Sequence, residues 1–228
     1  MSVLPDFIKI LAMKQNADIK AAVFDFDGTL YDKKGLSFRL FLKNLFHPLR
    51  LYRTHKLCVS LRGKDFKTEA TFFDELFTQL ASRTGLTKKQ AEKWYEEKYL
   101  AGMIRILEKS YRARKSVPEL LRTIREKNIK LILYSDYGEC EKRVSAVGLN
   151  PEDFDSLYSS SMFGGLKPGA AAFERMLRKE NLSPQDVIFA GDSDACDRTC
   201  AEKAGALFYS VKTDEDIGEL LRFFSGLK

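Results

Sequence analysis

The feature that most constrains this chain is the segment at residues 23–30, which has the sequence Val-Phe-Asp-Phe-Asp-Gly-Thr-Leu. The apolar run 21–24 predicts a short buried strand, and Gly28 favours a loop after it. Asp25 and Asp27 therefore lie just past the carboxyl end of a strand, where open α/β sheets collect ligand-binding groups. A phosphate-ester enzyme needs a carboxylate nucleophile, a second carboxyl group for the leaving-group proton and Mg²⁺ to offset phosphate charge. The two acids can supply the carboxyl groups.

Two further polar segments follow predicted strands or turns later in the chain. The apolar strand 129–134 leads into Ser135 and Asp136, and a hydroxyl and backbone N–H at such a position can hydrogen-bond a phosphate oxygen. Lys167 follows Gly164, Gly165 and Leu166 and precedes Pro168, and an ammonium here can approach both a phosphate and a nucleophilic carboxylate. The glycines permit a close backbone approach, and Pro168 fits the first turn of a following helix. Each segment alone is also typical of an ordinary turn.

A third segment is acidic. The predicted strand 187–190 runs into a stretch that contains Asp192, Asp194 and Asp197. Three acids within six residues repel one another unless a cation lies among them, and hard divalent cations prefer oxygen ligands. Capping of the following helix by Asp192 or Asp194 is the structural alternative.

Taken in order, these four segments resemble the signatures of the haloacid-dehalogenase-like hydrolases: Asp-x-Asp, a Ser or Thr after the second strand, Lys-Pro, and Gly-Asp-x-x-x-x-Asp. The resemblance covers residues 20–30 and 116–211. It implies an α/β fold with a Rossmann-like parallel sheet, in which the first strand is central and an α-helical cap is inserted between the first and second motifs. We therefore expect a catalytic core of residues 1–31 and 112–228, and a helical cap of residues 32–111.

The resemblance also implies a role for each acid. Asp25 would be the nucleophile that forms an aspartyl-phosphate, and Asp27 the acid for the leaving oxygen and then the base for water. Mg²⁺ would be held by Asp25, the backbone carbonyl of Asp27 and Asp192, with Asp197 in support through waters. No role is implied for Asp194.

The phosphoryl group would be bound by Ser135 and Lys167. Asp136 stands where many capped relatives carry Asn, and we group it with the phosphate-binding residues.

Patterning supports this organisation. Residues 32–111 show helical periodicity without a convincing strand, including an apolar face over 69–82 that ends near Gly85 and a capping box at 87–90. Strands and helices alternate from about residue 117, which predicts a parallel sheet. Apolar spacing over 3–15 predicts a short N-terminal helix.

Residues 33–67 contain ten Lys and Arg side chains and one acid. This stretch is either a solvated face of the cap or an element that binds an anionic ligand or a membrane surface. If the cap closes over the site, these cations are expected to favour substrates with a second anionic group.

Composition limits the partners and the compartment. No apolar run reaches the roughly 18 residues of a membrane span, no secretory signal is evident, and the four cysteines form no Cys-x-x-Cys pair. We therefore expect reduced thiols and a cytoplasmic location. The net charge of +6 permits anionic partners, yet we expect a small phosphate ester rather than nucleic acid or a membrane surface. Oligomeric state is not predicted.

The predicted function is Mg²⁺-dependent hydrolysis of a small phosphorylated metabolite. Dehalogenases and phosphonate hydrolases of the family lack the second acid of the first motif, so Asp27 argues against both. A phosphosugar mutase keeps both acids and stays an alternative. A non-catalytic binding module that acts through the basic cap is the other alternative.

Overall fold

Five parallel strands form one sheet at the centre of the protein, which is described here as a computed structural model covering residues 19–227. The strand order is β3-β2-β1-β4-β5, so the strand that precedes Asp25 is central. The strands are β1 (Ala21–Phe24), β2 (Lys130–Ser135), β3 (Ser156–Ser159), β4 (Val187–Gly191) and β5 (Leu207–Ser210).

Both faces of this sheet are covered. In β1, Ala22 and Phe24 belong to one hydrophobic core, whereas Ala21 and Val23 belong to a second core on the other face. Side chains alternate between faces along a strand, so a strand that is buried on both faces must be apolar at every position. This explains the continuous apolar runs at β1, β2 and β4.

Ten α-helices lie within the described residues. They are α1 (Leu36–Lys43), α2 (Pro48–Leu61), α3 (Glu69–Thr84), α4 (Lys88–Trp94), α5 (Ala101–Ser110), α6 (Val117–Glu126), α7 (Cys140–Ala146), α8 (Ala170–Lys179), α9 (Thr199–Ala204) and α10 (Asp214–Ser225). Two segments have wider π-type turns, one joining α4 to α5 and one preceding α9. Side chains of α6, α7 and α10 fill one core, and those of α8 and α9 fill the other.

Helices α1 to α5 follow one another between β1 and β2, and we call residues 36–110 the helical insertion. Within it α1 packs on α5, α2 on α3, and α3 on α4. The α/β fold class with a Rossmann-like sheet and inserted helices is thereby confirmed. The division into a core of 1–31 and 112–228 and a cap of 32–111 stays a prediction.

The insertion is tied to the sheet by the segment that joins α2 to α3. The backbone N–H of Gly63 donates to Leu166 O at 3.1 Å, and that of Phe66 donates to Gly164 O at 2.7 Å. Gly164 has a φ of 71°, and a Cβ at this position would lie 2.5 Å from the backbone nitrogen of Thr68. The predicted close backbone approach at this glycine therefore exists, and it anchors the loop that carries Lys167.

Local predictions hold with small shifts at the ends of elements. Thr87 and Gln90 form the predicted capping box, and α3 ends at Gly85. The helix predicted from Pro168 begins instead at Ala170, after Gly169. The predicted helix over 3–15 lies outside the described residues.

All four cysteines are free, namely Cys58, Cys140, Cys196 and Cys200. Within residues 19–227 no helix combines the length and apolar character needed to cross a membrane.

Candidate active site

Asp25 lies directly after the central strand and is buried. Its Oδ2 accepts a hydrogen bond from Thr29 Oγ1 at 3.1 Å, and its Oδ1 lies 2.5 Å from Lys167 Nζ. Burial disfavours the charged carboxylate and raises the pKa of Asp25 to about 7, although Lys167 acts in the opposite direction. Positive charge beside Asp25 favours its ionised carboxylate, which is the form that can act as a nucleophile.

Lys167 links two buried carboxylates. Its Nζ is 2.5 Å from Asp25 Oδ1 and 2.7 Å from Asp197 Oδ1, and it also donates to the carbonyl oxygen of Tyr134 at 3.4 Å. Burial alone would lower the pKa of Lys167, but Asp197 and Asp25 raise it well above its ordinary value. The side chain is thus held as an ammonium between the two acids.

Asp27 is held at both carboxylate oxygens. Tyr31 donates its hydroxyl to Oδ1 at 2.5 Å, and Arg143 donates to Oδ2. The guanidinium of Arg143 is fully buried, donates to Ser135 Oγ at 2.9 Å and lies 4.5 Å from the ring centroid of Phe26. Burial would raise the pKa of Asp27, but Arg143 and Tyr31 outweigh it and lower that pKa. Asp27 is therefore held as a carboxylate.

Three acids come together at the carboxyl ends of β1 and β4. Asp25, Asp192 and Asp197 each offer one oxygen, and these oxygens lie within 4.8 Å of one another. The backbone N–H of Ser193 donates to the second oxygen of Asp197 at 2.9 Å, which fixes this carboxylate. Such a set of hard oxygen donors is of the type that Mg²⁺ prefers.

A cation of the protein itself already approaches this cluster. Lys33 Nζ lies 2.5 Å from Asp192 Oδ2 and donates to the backbone carbonyl of Asp27 at 3.1 Å. Gly28 has a φ of 94°, and a Cβ there would overlap the Asp192 carboxylate. The backbone and carboxylate oxygens thus leave a cradle that accepts positive charge, so the residues present fit Mg²⁺.

Asp136 supports the loop of Lys167. Its Oδ1 accepts hydrogen bonds from the backbone N–H of Lys167 and from Ser160 Oγ, both at 2.9 Å. Its Oδ2 lies 3.8 Å from Arg62 Nε, which belongs to the helical insertion. The carboxylate of Asp136 therefore holds two segments in place, and its role toward phosphate stays a prediction.

All seven predicted site residues are brought to the carboxyl edge of the sheet, whereas Asp194 is turned elsewhere. Asp194 is paired with Arg198 and Lys212, each at 2.7 Å, and the residue that caps the following turn is Ser193.

The site contains five acids and four bases. The acids are Asp25, Asp27, Asp136, Asp192 and Asp197, and the bases are Lys33, Arg62, Arg143 and Lys167.

A cavity of about 460 Å³ opens above these residues, between the sheet and the helical insertion. Of the ten basic residues in 33–67, the two that line it are Lys33 and Arg62, and each is paired with an acid. The expected preference for a second anionic group is therefore not supported by the lining.

Three other basic residues of the same stretch contact groups of the helical insertion outside the catalytic acids. The Arg50 guanidinium lies 5.0 Å from the ring centroid of Trp94, Arg53 donates to the carbonyl oxygen of Arg83 at 2.8 Å, and Lys56 lies 5.7 Å from the ring centroid of Tyr52.

Several residues of the site were not found from the sequence. Thr29 and Tyr31 lie four residues after the two acids that they contact, so local spacing could have indicated them. Arg143 is 116 positions from Asp27, and no local pattern announces such a contact. Lys33 was counted as part of the basic stretch, without a partner.

Comparisons with known proteins bear on the family and on the fold. The family model described as haloacid dehalogenase-like hydrolase matches residues 19–205. No curated protein matches the chain.

Three similar solved structures carry different names. One is CbbY from Rhodobacter sphaeroides in complex with phosphate, at 18% identity and a TM-score of 0.60, covering 83% of this chain and 84% of that one. Another is β-phosphoglucomutase from Clostridium difficile, at 18% identity and a TM-score of 0.57, covering 88% of both chains. The third is 2-haloacid dehalogenase from Pseudomonas syringae pv. Tomato DC3000, at 19% identity and a TM-score of 0.57, covering 90% of this chain and 98% of that one. At these identities the likeness concerns the fold.

Proposed function

The chain belongs to the haloacid dehalogenase-like hydrolases, and we propose that it is a Mg²⁺-dependent phosphatase that hydrolyses small phosphate monoesters through an aspartyl-phosphate on Asp25. The observation that carries this proposal is the placement of Asp25 at the end of the central strand. There Lys167 Nζ lies 2.5 Å from one carboxylate oxygen. A nucleophile and a buried ammonium at this distance suit a substrate group that is itself anionic.

The reaction follows from these groups in two steps. A carboxylate oxygen of Asp25 attacks phosphorus, the bond from phosphorus to the ester oxygen breaks, and the leaving oxygen takes a proton from Asp27. Water then attacks the acyl phosphate while Asp27 takes its proton, which releases inorganic phosphate and restores Asp25. Lys167 offsets the charge that the phosphoryl group brings.

The two steps need Asp27 in different forms. The hydrogen bonds from Tyr31 and Arg143 hold it as a carboxylate, the form that accepts a proton from water in the second step. In the first step Asp27 is protonated, and its hydroxyl donates to the leaving oxygen in place of one of these two contacts.

Mg²⁺ would be held by Asp25, Asp192 and the backbone carbonyl of Asp27, with Asp197 in support, and it supplies positive charge that stabilises a phosphoryl group in transfer. The charge count supports this requirement. Five acids face four bases before the substrate adds its own negative charge, so a further cation is needed.

Other activities of the family are weaker fits. A mutase stays the alternative because both acids of the first motif are present. Dehalogenation would leave unexplained why Asp27 is retained and bound by two buried donors. A non-catalytic binding module would not need the complete set of acids around Lys167.

The test is a panel of phosphate esters assayed with Mg²⁺ and with excess chelator. We expect chelation to stop hydrolysis and Mg²⁺ to restore it. Asp192→Asn should raise the Mg²⁺ concentration for half-maximal rate by at least about tenfold. Asp194→Asn is the matched control, because this acid lies in the same loop but is paired with Arg198 and Lys212. Full activity in chelator would contradict the metal requirement.

A further inference from the structure

The wall of the cavity that α1 and α2 form is mainly apolar, although Ser37 and His55 also line it. On α2, Pro48, Leu51, Tyr52 and His55 line the cavity, and their spacing of three, four and seven residues places them on one helical face. On α1 the lining residues include Leu36, Leu40 and Phe41, and Met103 of α5 adds to them. A substrate that fills this space contacts mainly hydrocarbon beyond its phosphate.

The cations of the cavity lie beside the catalytic acids or are paired outside them. Lys33 contacts Asp192, and Lys167 lies between Asp25 and Asp197, so both are placed where the phosphate itself would bind. Arg62 is paired with Asp136 and would have to leave it to bind a second phosphate or carboxylate. The wall therefore suits an uncharged substrate body better than a second anion.

The apolar lining continues to the protein surface. Phe41 and Tyr52 line the cavity and are also exposed, at 42% and 56%. Phe38 is three residues before Phe41 and Leu49 is three residues before Tyr52, so each lies beside its partner on the helix surface. Both Phe38 and Leu49 are exposed as well.

The turn between α1 and α2 extends the same surface. Leu45 and Phe46 lie in this turn, and Phe46 is 95% exposed. We call Phe38, Leu45, Phe46 and Leu49 the apolar rim. An exposed apolar patch of this kind, continuous with a binding cavity, is typical of a surface that contacts a ligand.

We propose, on the basis of the phosphatase function above, that the substrate is an amphiphilic phosphate monoester whose hydrocarbon chain runs from the catalytic acids along the α1 and α2 wall to the apolar rim. The phosphate occupies the polar floor and the chain replaces water against the apolar wall. Burial of each additional methylene stabilises the bound state, so kcat/KM rises by roughly fourfold per methylene until the chain reaches the rim.

The first test is the rate on a series of straight-chain alkyl phosphates from ethyl to octyl, held below their micelle concentrations, with glycerol 3-phosphate and a hexose phosphate for comparison. We expect kcat/KM to rise with chain length through a falling KM, and octyl phosphate to exceed both polar esters. A flat series, or a hexose phosphate that exceeds octyl phosphate, overturns the inference while leaving the phosphatase function intact.

Two variants locate the effect. Phe41→Ser combined with Tyr52→Ser changes exposed positions, so the fold should survive, and it should flatten the chain-length series because the loss of kcat/KM grows from ethyl to octyl phosphate. Val59→Ser is the matched control, because Val59 is an exposed apolar residue of α2 outside the cavity lining. An equal loss in both variants, or no change in the double variant, contradicts the assignment.

A binding measurement separates this inference from the proposed function. Asp25→Asn removes the nucleophile, so calorimetry on this variant reports affinity without turnover. We expect octyl phosphate to bind at least about tenfold more tightly than glycerol 3-phosphate. Tighter binding of octyl phosphate without any turnover by the wild type would contradict the phosphatase function, and would support an amphiphilic phosphate only as a ligand of the cavity. Equal affinities would overturn the substrate class, whatever the wild type hydrolyses.

Discussion

Lys33 Nζ lies 2.5 Å from Asp192 Oδ2, in contact with an acid that we assign to the metal. The same ammonium donates to the backbone carbonyl of Asp27, the second oxygen of that assignment. A side-chain cation and Mg²⁺ cannot both bind these oxygens at the same time. Lys33 therefore competes with the metal.

The first prediction concerns this competition. Lys33→Met should strengthen Mg²⁺ binding by roughly fivefold, the size expected for a half-exposed ion pair, as measured by calorimetry or by displacement of Mn²⁺ followed by electron paramagnetic resonance. Lys34→Met is the control, since Lys34 is an exposed neighbour outside the cavity lining. Unchanged or weaker metal binding in Lys33→Met would count against competition.

The second prediction concerns proton transfer by Asp27. Acid catalysis contributes about 10²–10⁴-fold, so Asp27→Asn should lose that much kcat/KM on an alkyl phosphate, whose leaving oxygen needs a proton. The loss on an activated aryl phosphate should be much smaller, because that group leaves without one. Equal losses on the two esters would show that Asp27 does not protonate the leaving group.

The third prediction concerns the buried ion pair between Asp27 and Arg143. Arg143→Met leaves Asp27 without its cation in a buried setting, and the free energy of unfolding should fall by about 3 kcal/mol. Asp27→Asn combined with Arg143→Met removes both charges and should recover much of that loss. Urea unfolding of the two single variants and the double variant measures the coupling. Additive losses would mean that the pair does not interact.

The fourth prediction concerns the anchor of the Lys167 loop. Gly164→Ala forces a side chain into a left-handed backbone position and against the backbone of Thr68, so stability should fall by about 1–3 kcal/mol. Activity should fall with it, because Lys167 is displaced from Asp25. Gly138→Ala is the matched control, since a Cβ there meets no atom within 4 Å. Urea unfolding and kcat/KM of both variants are the measurements.

Much of the fold was predictable because it depends on residues that are close together in the sequence. Strands buried on both faces must be continuous apolar runs, and the Thr87 capping box and the turn at Gly85 use backbone preferences of single residues. The acids at the strand ends were predictable as a group, because parallel strands bring their carboxyl ends to one edge of the sheet.

Long-range partners were not predictable in the same way. Arg143 is an ordinary helix residue in the sequence, and its complete burial against Asp27 and Ser135 depends on how α7 packs on the sheet. The count of charges in the basic stretch does not say which side of a helix each charge occupies, so the positions of these side chains were not predictable. In α2 the apolar side faces the cavity, while Arg50 and Arg53 bind elsewhere in the insertion.

The central claim is that Asp25 becomes phosphorylated during turnover. The most direct measurement is a rapid acid quench of the wild type with an ester and Mg²⁺, followed by mass spectrometry of the peptide that contains residues 21–30. The account predicts a phosphoryl group on Asp25 that appears before inorganic phosphate accumulates and is absent from Asp25→Asn, which should be inactive. Hydrolysis without this species in the wild type, or substantial turnover by Asp25→Asn, would contradict it.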